Sequence, residues 1–159
     1  MIRTAAAVLM CVACASIAQA NVAPAPVMSC PAADKVKFRN GAYRAPETLP
    51  GWRGSWTSVS GFKGKVLQLD SVLAYVEPDT AATRLINCTY RVEGRTKEDG
   101  LIDLSYGPAR LQSEMGNLYV RLERLEDWAA GDDATGEDFL ECAAENTCRF
   151  IPLQFGRGR

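Results

Sequence analysis

Along residues 36–45, "VKFRNGAYRA", apolar and cationic positions alternate on either side of Asn40-Gly41. Asn-Gly is the preferred two-residue hairpin turn, because both positions take positive φ at little cost. The pattern predicts a β-hairpin with Phe38 facing Tyr43 and Val36 facing Ala45 on one side. Lys37, Arg39 and Arg44 then share the other. Period-two alternation recurs downstream and predicts further strands. In residues 84–94, Ile86, Cys88, Tyr90 and Val92 point one way, and Asn87, Thr89 and Arg91 the other. Residues 100–107 set Ile102, Leu104 and Tyr106 against Asp103 and Ser105. Residues 117–122 alternate at Leu118, Val120 and Leu122, and residues 65–77 alternate less regularly. Residues 51–61 read as a strand with Trp52, Gly54, Trp56 and Ser58 on one face. Gly54 would let the two indoles close over bare backbone.

One stretch departs from this period. Leu122, Leu125, Trp128 and Ala129 fall at helical spacing and Gly131 can end the run, so one short helix is predicted over 122–131. Six or seven short strands separated by Gly, Pro and Asn turns give a mainly β class. The arrangement is an antiparallel sandwich or a partly open barrel, with that one short helix and two disulfides. Both architectures remain open at this level.

The ends of the chain follow other rules. Residues 1–20 carry Arg3, an apolar run and Ala18-Gln19-Ala20, the layout of a secretory signal peptide cleaved after Ala20. Residues 21–29 read as a flexible, Pro-rich leader. Residues 30–155 read as a single exported β domain, and 156–159 as a frayed tail. The expected location is the periplasm or the extracellular space. No later stretch is long and apolar enough for a spanning helix, so no membrane insertion is expected after cleavage.

Cysteine usage agrees with export. Cys11 and Cys14 leave with the signal, and Cys30, Cys88, Cys142 and Cys148 remain. An even number in an exported chain reads as disulfides. Four cysteines allow three pairings, of which Cys30–Cys88 with Cys142–Cys148 is favoured. A hairpin over 139–151 supports the local pair: Cys142 would face Cys148, Glu141 Arg149, Leu140 Phe150 and Phe139 Ile151. Zinc is disfavoured, since the chain has no His and its mature part has no C-x-x-C pair.

Charge adds one more feature. Without Arg3 the 18 basic residues become 17 against 19 acidic ones, a net charge of −2. That is no footprint for nucleic acid. The distribution is uneven, however. Residues 34–65 hold seven basic groups (Lys35, Lys37, Arg39, Arg44, Arg53, Lys63, Lys65) against Asp34 and Glu47, while residues 123–145 hold nine acidic groups against Arg124.

The same residues limit the catalytic chemistry open to the chain. The lack of His removes Ser-His-Asp and Cys-His machinery and most zinc hydrolysis. There is no P-loop, dinucleotide fingerprint or G-x-S-x-G. No cofactor is implied. A carboxylate-based envelope hydrolase would use Asp103 and Glu141, both expected to face water. The acidic run Asp132, Asp133, Glu137 and Asp138 does not match a calcium-loop spacing. Asn87-Cys88-Thr89 matches a glycosylation sequon by three residues only. Trp52 and Trp56 form either a buried pair or a stacking platform for sugar.

Several short motifs together resemble a family of small exported bacterial proteins classed as a domain of unknown function. They are Cys30-Pro31, Gly41-Ala42-Tyr43, Gly51-Trp52 with Trp56, Cys88-Thr89-Tyr90, Gly100-Leu101-Ile102 with Leu104, and Cys142 with Cys148-Arg149-Phe150. The resemblance spans nearly the whole mature chain. It implies a single exported, mostly β domain and brings no catalytic residues with it. The favoured reading is a non-enzymatic binding or inhibitory, immunity-type interaction module with another protein as partner. Its candidate surface is Lys37, Arg39, Arg44, Arg53, Trp52 and Trp56, together with the acidic 126–138 segment. The alternative is a glycan- or peptidoglycan-binding module using surface Trp.

Overall fold

The computed structural model describes residues 26–46, 54–59, 62–93, 100–107, 118–131, 139–143 and 148–155. Ten strands are present among them: β1 Lys37–Arg39, β2 Ala42–Ala45, β3 Ser55–Thr57, β4 Val66–Val76, β5 Thr83–Val92, β6 Leu101–Gly107, β7 Leu118–Leu122, β8 Ala129–Gly131, β9 Phe139–Cys142 and β10 Phe150–Phe155. Every described pairing is antiparallel. None of the described residues forms a helix long and apolar enough to cross a membrane.

The fold is mainly β, with one open, branched sheet. One path runs β1-β2-β3-β6-β5-β4-β9-β8, and a branch runs from β5 through β7 to β10. The branch exists because β5 divides one edge between two partners. Its first residues, Thr83–Leu85, pair with β7, and Cys88–Arg91 pair with β6. Between them the register with β4 shifts: Leu73 faces Asn87 while Ala74 faces Leu85. Ile86 is therefore an extra residue, a bulge at the fork. Its carbonyl is not wasted, since Ser105 Oγ donates to it at 3.0 Å.

The sheet also curls. Cys142 at the end of β9 and Cys148 ahead of β10 are bonded, with Cα atoms 5.7 Å apart. In the sheet, β9 and β10 are separated by β4, β5 and β7. Four strand spacings laid flat would span about 19 Å. The five strands must therefore wrap until the outer two meet. The disulfide, not a ladder of hydrogen bonds, closes that curl. Inside it lie Val72, Leu85, Cys88, Tyr90, Leu104, Leu118, Val120 and Phe150, all buried. A strap over residues 28–36 covers the same core. Met28 and Phe150 exchange backbone hydrogen bonds of 2.8 and 2.9 Å. Cys30 is bonded to Cys88, Tyr90 Oη donates to the Pro31 carbonyl at 2.6 Å, and the 3-10 turn Ala33–Lys35 rests against β4.

The 36–45 hairpin forms in the expected register, with Phe38 opposite Tyr43 and Lys37 opposite Arg44. Asn40 has φ +51° and Gly41 +81°, as the turn requires. Two other expectations need correction. There is no helix over 122–131. Leu122 ends β7, Arg124 adopts a left-handed conformation, a single 3-10 turn covers Leu125–Asp127, and Ala129–Gly131 pair with β9. Leu125 is 65% exposed, so the apolar spacing was not one buried stripe. A helix this short gains too little from its own hydrogen bonds to outcompete sheet pairing on both sides. Nor is there a 139–151 hairpin. The disulfide forms as expected, but Phe139–Cys142 pair with β4 and β8, and Phe150 pairs with Leu122 of β7. Longer partner strands offered more ladder and more burial than the local match of Glu141 with Arg149.

Candidate functional site

Strand parity assigns side chains to the buried face or to the convex outer face. On the hairpin, Lys37, Arg39 and Arg44 are exposed on the outer face, while Val36, Tyr43 and Ala45 are buried beneath. Among the described residues no carboxylate lies within 4.0 Å of these three cations. The hairpin is held firmly. Phe38 meets Tyr43 edge to face at 5.0 Å. The Tyr43 amide donates to Ser58 Oγ at 2.9 Å, and the Ser58 amide to the Tyr43 carbonyl at 3.0 Å. Tyr43 Oη lies 2.8 Å from the Phe62 carbonyl and 3.1 Å from that of Gly64, and it accepts from the Gly64 amide at 2.8 Å. Burial pushes its phenol above the ordinary 10.0, and the Gly64 hydrogen bond offsets part of that rise.

From the hairpin a lateral row continues across the outer face. Lys37 faces Arg44, Arg44 faces Thr57 and Thr57 faces Ser105. Beyond Ser105 the same face carries Thr89, which donates to Asp103 Oδ1 at 2.7 Å. Further along, Phe139, Tyr75, Arg84 and Tyr119 stand side by side on β9, β4, β5 and β7. The Arg84 guanidinium lies 5.4 Å from the Tyr75 ring centre, and the Tyr75 and Phe139 rings are also 5.4 Å apart. Tyr119 Oη donates to Glu77 at 2.7 Å. This aromatic–arginine group was missed from sequence. Tyr75 lies on an irregular strand, and the local hairpin pattern sets Phe139 against Ile151.

The other candidates separate. Trp56 is fully buried and packs edge to face on Tyr106 at 5.1 Å. It offers no ring face to a sugar, so the surface role considered for it is withdrawn. Among the described residues, Gly107 and Tyr106 crowd Gly54. A Cβ there would lie 2.9 Å from the Gly107 carbonyl oxygen and 3.0 Å from the Tyr106 ring. Trp52, Arg53 and the acidic residues 132–138 lie outside the described residues, as do residues 1–25 and the 156–159 tail. Glu126 and Asp127, which open the acidic segment, are both ion-paired with Arg124, at 3.4 and 3.2 Å. A backbone hydrogen bond holds the Glu126 carboxyl below its usual range, and Arg124 adds to the effect.

The carboxylate pair considered for hydrolysis is not brought together. Asp103 is on β6 and Glu141 on β9, three strand positions apart. That separation is about 14 Å, beyond the roughly 5–10 Å that either glycosidase geometry uses. Among the described residues no group of three or more His, Cys, Asp or Glu could hold a metal. All four described cysteines are in disulfides. The sequon residue Asn87 lies mid-strand with its Oδ1 buried, not on an exposed loop.

With this geometry established, comparison with known proteins gives one result. A family model described as "Protein of unknown function (DUF3757)" matches residues 22–151. The chain belongs to the DUF3757 family. The match begins just after residue 20 and takes in both disulfides, the hairpin and every described strand through the start of β10. The family resemblance read from the Cys, Trp and Tyr motifs is thereby borne out. DUF3757 carries no activity in its description, so function rests on this chain's own surface. No curated protein and no solved structure matches the chain.

Proposed function

We propose that this chain is an exported, non-catalytic binding module whose outer face, led by the β1–β2 hairpin, docks on an acidic surface of another protein. The observation that carries the reading is the set Lys37, Arg39 and Arg44, exposed together on one rigid hairpin with no described carboxylate within 4.0 Å. Such a patch steers an oppositely charged partner and speeds association. The two disulfides fit an oxidising compartment. On this reading the signal-like N-terminus sends the chain to the periplasm or out of the cell, where it neutralises a toxin or enzyme or joins an assembly. With Trp56 in the core, the glycan alternative rests on Trp52 alone, which lies outside the described residues.

Affinity capture tests the proposal. The mature, oxidised protein is immobilised and challenged with envelope extract and secreted protein at physiological salt. The control carries Lys37→Glu, Arg39→Glu and Arg44→Glu. One stoichiometric partner retained by the wild type and lost by the variant is the expected outcome. Equal retention by both, or none by either, counts against it.

A further inference from the structure

Lys37 and Arg44 are not merely neighbours. They are direct cross-strand partners on the outer face of β1 and β2. Opposed residues in an antiparallel pair hold their Cβ atoms about 5 Å apart, and like charges there are destabilising. No other described pairing sets two like charges opposite each other. Lys35, Arg91, Arg121 and Arg124 each have a carboxylate within 4.0 Å, while Lys63, Lys65, Arg84 and Arg149 have none among the described residues. The hairpin pair has none among the described residues. Its strands cannot splay to relieve the repulsion, because the Asn40-Gly41 turn fixes one end and Tyr43 is tied to Ser58 and Gly64. Arg39, by contrast, faces Ala42 and opposes no cation.

We infer that Lys37 and Arg44 form a preorganised clamp for a carboxylate, namely an Asp or Glu side chain presented by the protein partner. This rests on the proposed binding role and names the group that the hairpin recognises. A guanidinium takes a carboxylate through two parallel hydrogen bonds, and the ammonium opposite adds a point charge. The bound anion relieves the repulsion between the two cations. The free protein therefore carries a local conflict that the ligand resolves, as expected where function overrides local consistency.

Stability and binding should respond in opposite directions to charge reversal at Arg44. Arg44→Glu turns the like pair into a Lys–Glu cross-strand pair. The free variant should melt at a higher temperature than wild type, and circular dichroism should show the fold retained. The probe is poly-L-glutamate at low salt, with sodium sulfate at matched ionic strength and polygalacturonate as separate arms. Wild type should gain melting temperature with poly-L-glutamate beyond the sulfate effect. Arg44→Glu should lose that response, with affinity down about tenfold or more. Arg39→Glu should weaken binding without raising the melting temperature of the free protein. An Arg44→Glu variant that is no more stable than wild type, or that still responds, overturns the clamp. So does a wild-type gain that sulfate alone reproduces. A response to polygalacturonate without one to poly-L-glutamate overturns the peptide source in favour of an acidic glycan. Failure here is distinguishable from failure of the wider reading. A partner captured equally by wild type and Arg44→Glu faults the clamp alone. An intact poly-L-glutamate response with no partner captured faults only the protein-binding role.

Discussion

The Tyr43 hydroxyl ties the hairpin to the 62–64 segment, and its burial makes it a sensor of alkaline pH. The phenol is neutral when protonated, and the fold raises its pKa above 10.0. The folded state thus holds the proton more tightly than the unfolded chain. The associated stability is fully present below the unfolded value and is lost as pH rises through the folded one. Tyr43→Phe should cost about 1–3 kcal/mol near neutral pH, because the Gly64 amide loses its acceptor. Above about pH 10 the wild type should lose stability faster than the variant. Urea midpoints at several alkaline pH values would check this, and parallel pH curves would remove Tyr43 as the cause. At this scale the sequence showed that Tyr43 faces inward, because alternation around Asn40-Gly41 is strict. It did not show the Phe62 and Gly64 contacts, which depend on a segment distant along the chain. Trp56 was ambiguous for a related reason. An indole at a strand position is equally compatible with core and surface until the neighbouring strand, here Tyr106 on β6, is known.

Elements were legible where the alternation was regular. β2, β5, β6 and β7 lie where the period placed them, and Ile102, Leu104, Tyr106, Leu118, Val120 and Leu122 are buried as expected. The errors came where a local pattern competed with a distant partner. The 122–131 stretch had helical spacing but sits between β10 and β9. The 139–151 stretch had a good local hairpin match but was drawn to β4 and β7. Both disulfides nevertheless formed as paired from sequence, and they differ in what they constrain. Cys30–Cys88 closes a separation of 58 residues and Cys142–Cys148 one of 6. Loop entropy assigns them about 4 and about 2 kcal/mol. Cys30→Ser with Cys88→Ser should therefore lower the denaturant midpoint more than Cys142→Ser with Cys148→Ser. The reverse order would show that closing the curl matters more than restricting the unfolded chain.

For the whole molecule, alternation and cysteine count led to the class, a mainly β fold with two disulfides, but strand order was beyond reach. Nothing in the period of a strand says which neighbour it takes, and β5 takes three. The candidate surface was half legible. The three hairpin cations share a face because alternation demands it, whereas the grouping of Tyr75, Arg84, Tyr119 and Phe139 needs the order of four strands. The fork in β5 has a consequence for how the protein breathes. β4 covers one edge of β5, and β6 and β7 divide the other, so its paired amides can meet solvent only when an interior strand has left. β1, β8 and the branch strand β10 each end the sheet and can open without the centre. Hydrogen exchange should thus be graded, slowest at Cys88 and Tyr90 and fastest at the ends of the sheet. The slowest amides should exchange with the free energy of global unfolding. Faster exchange along β5 than along β2 or β9 would mean that the sheet comes apart at its fork. The hairpin that carries the cations lies at one of the sheet's margins, so its order rests on the Asn40-Gly41 turn and the Tyr43 ties to Ser58 and Gly64 rather than on a strand covering β1.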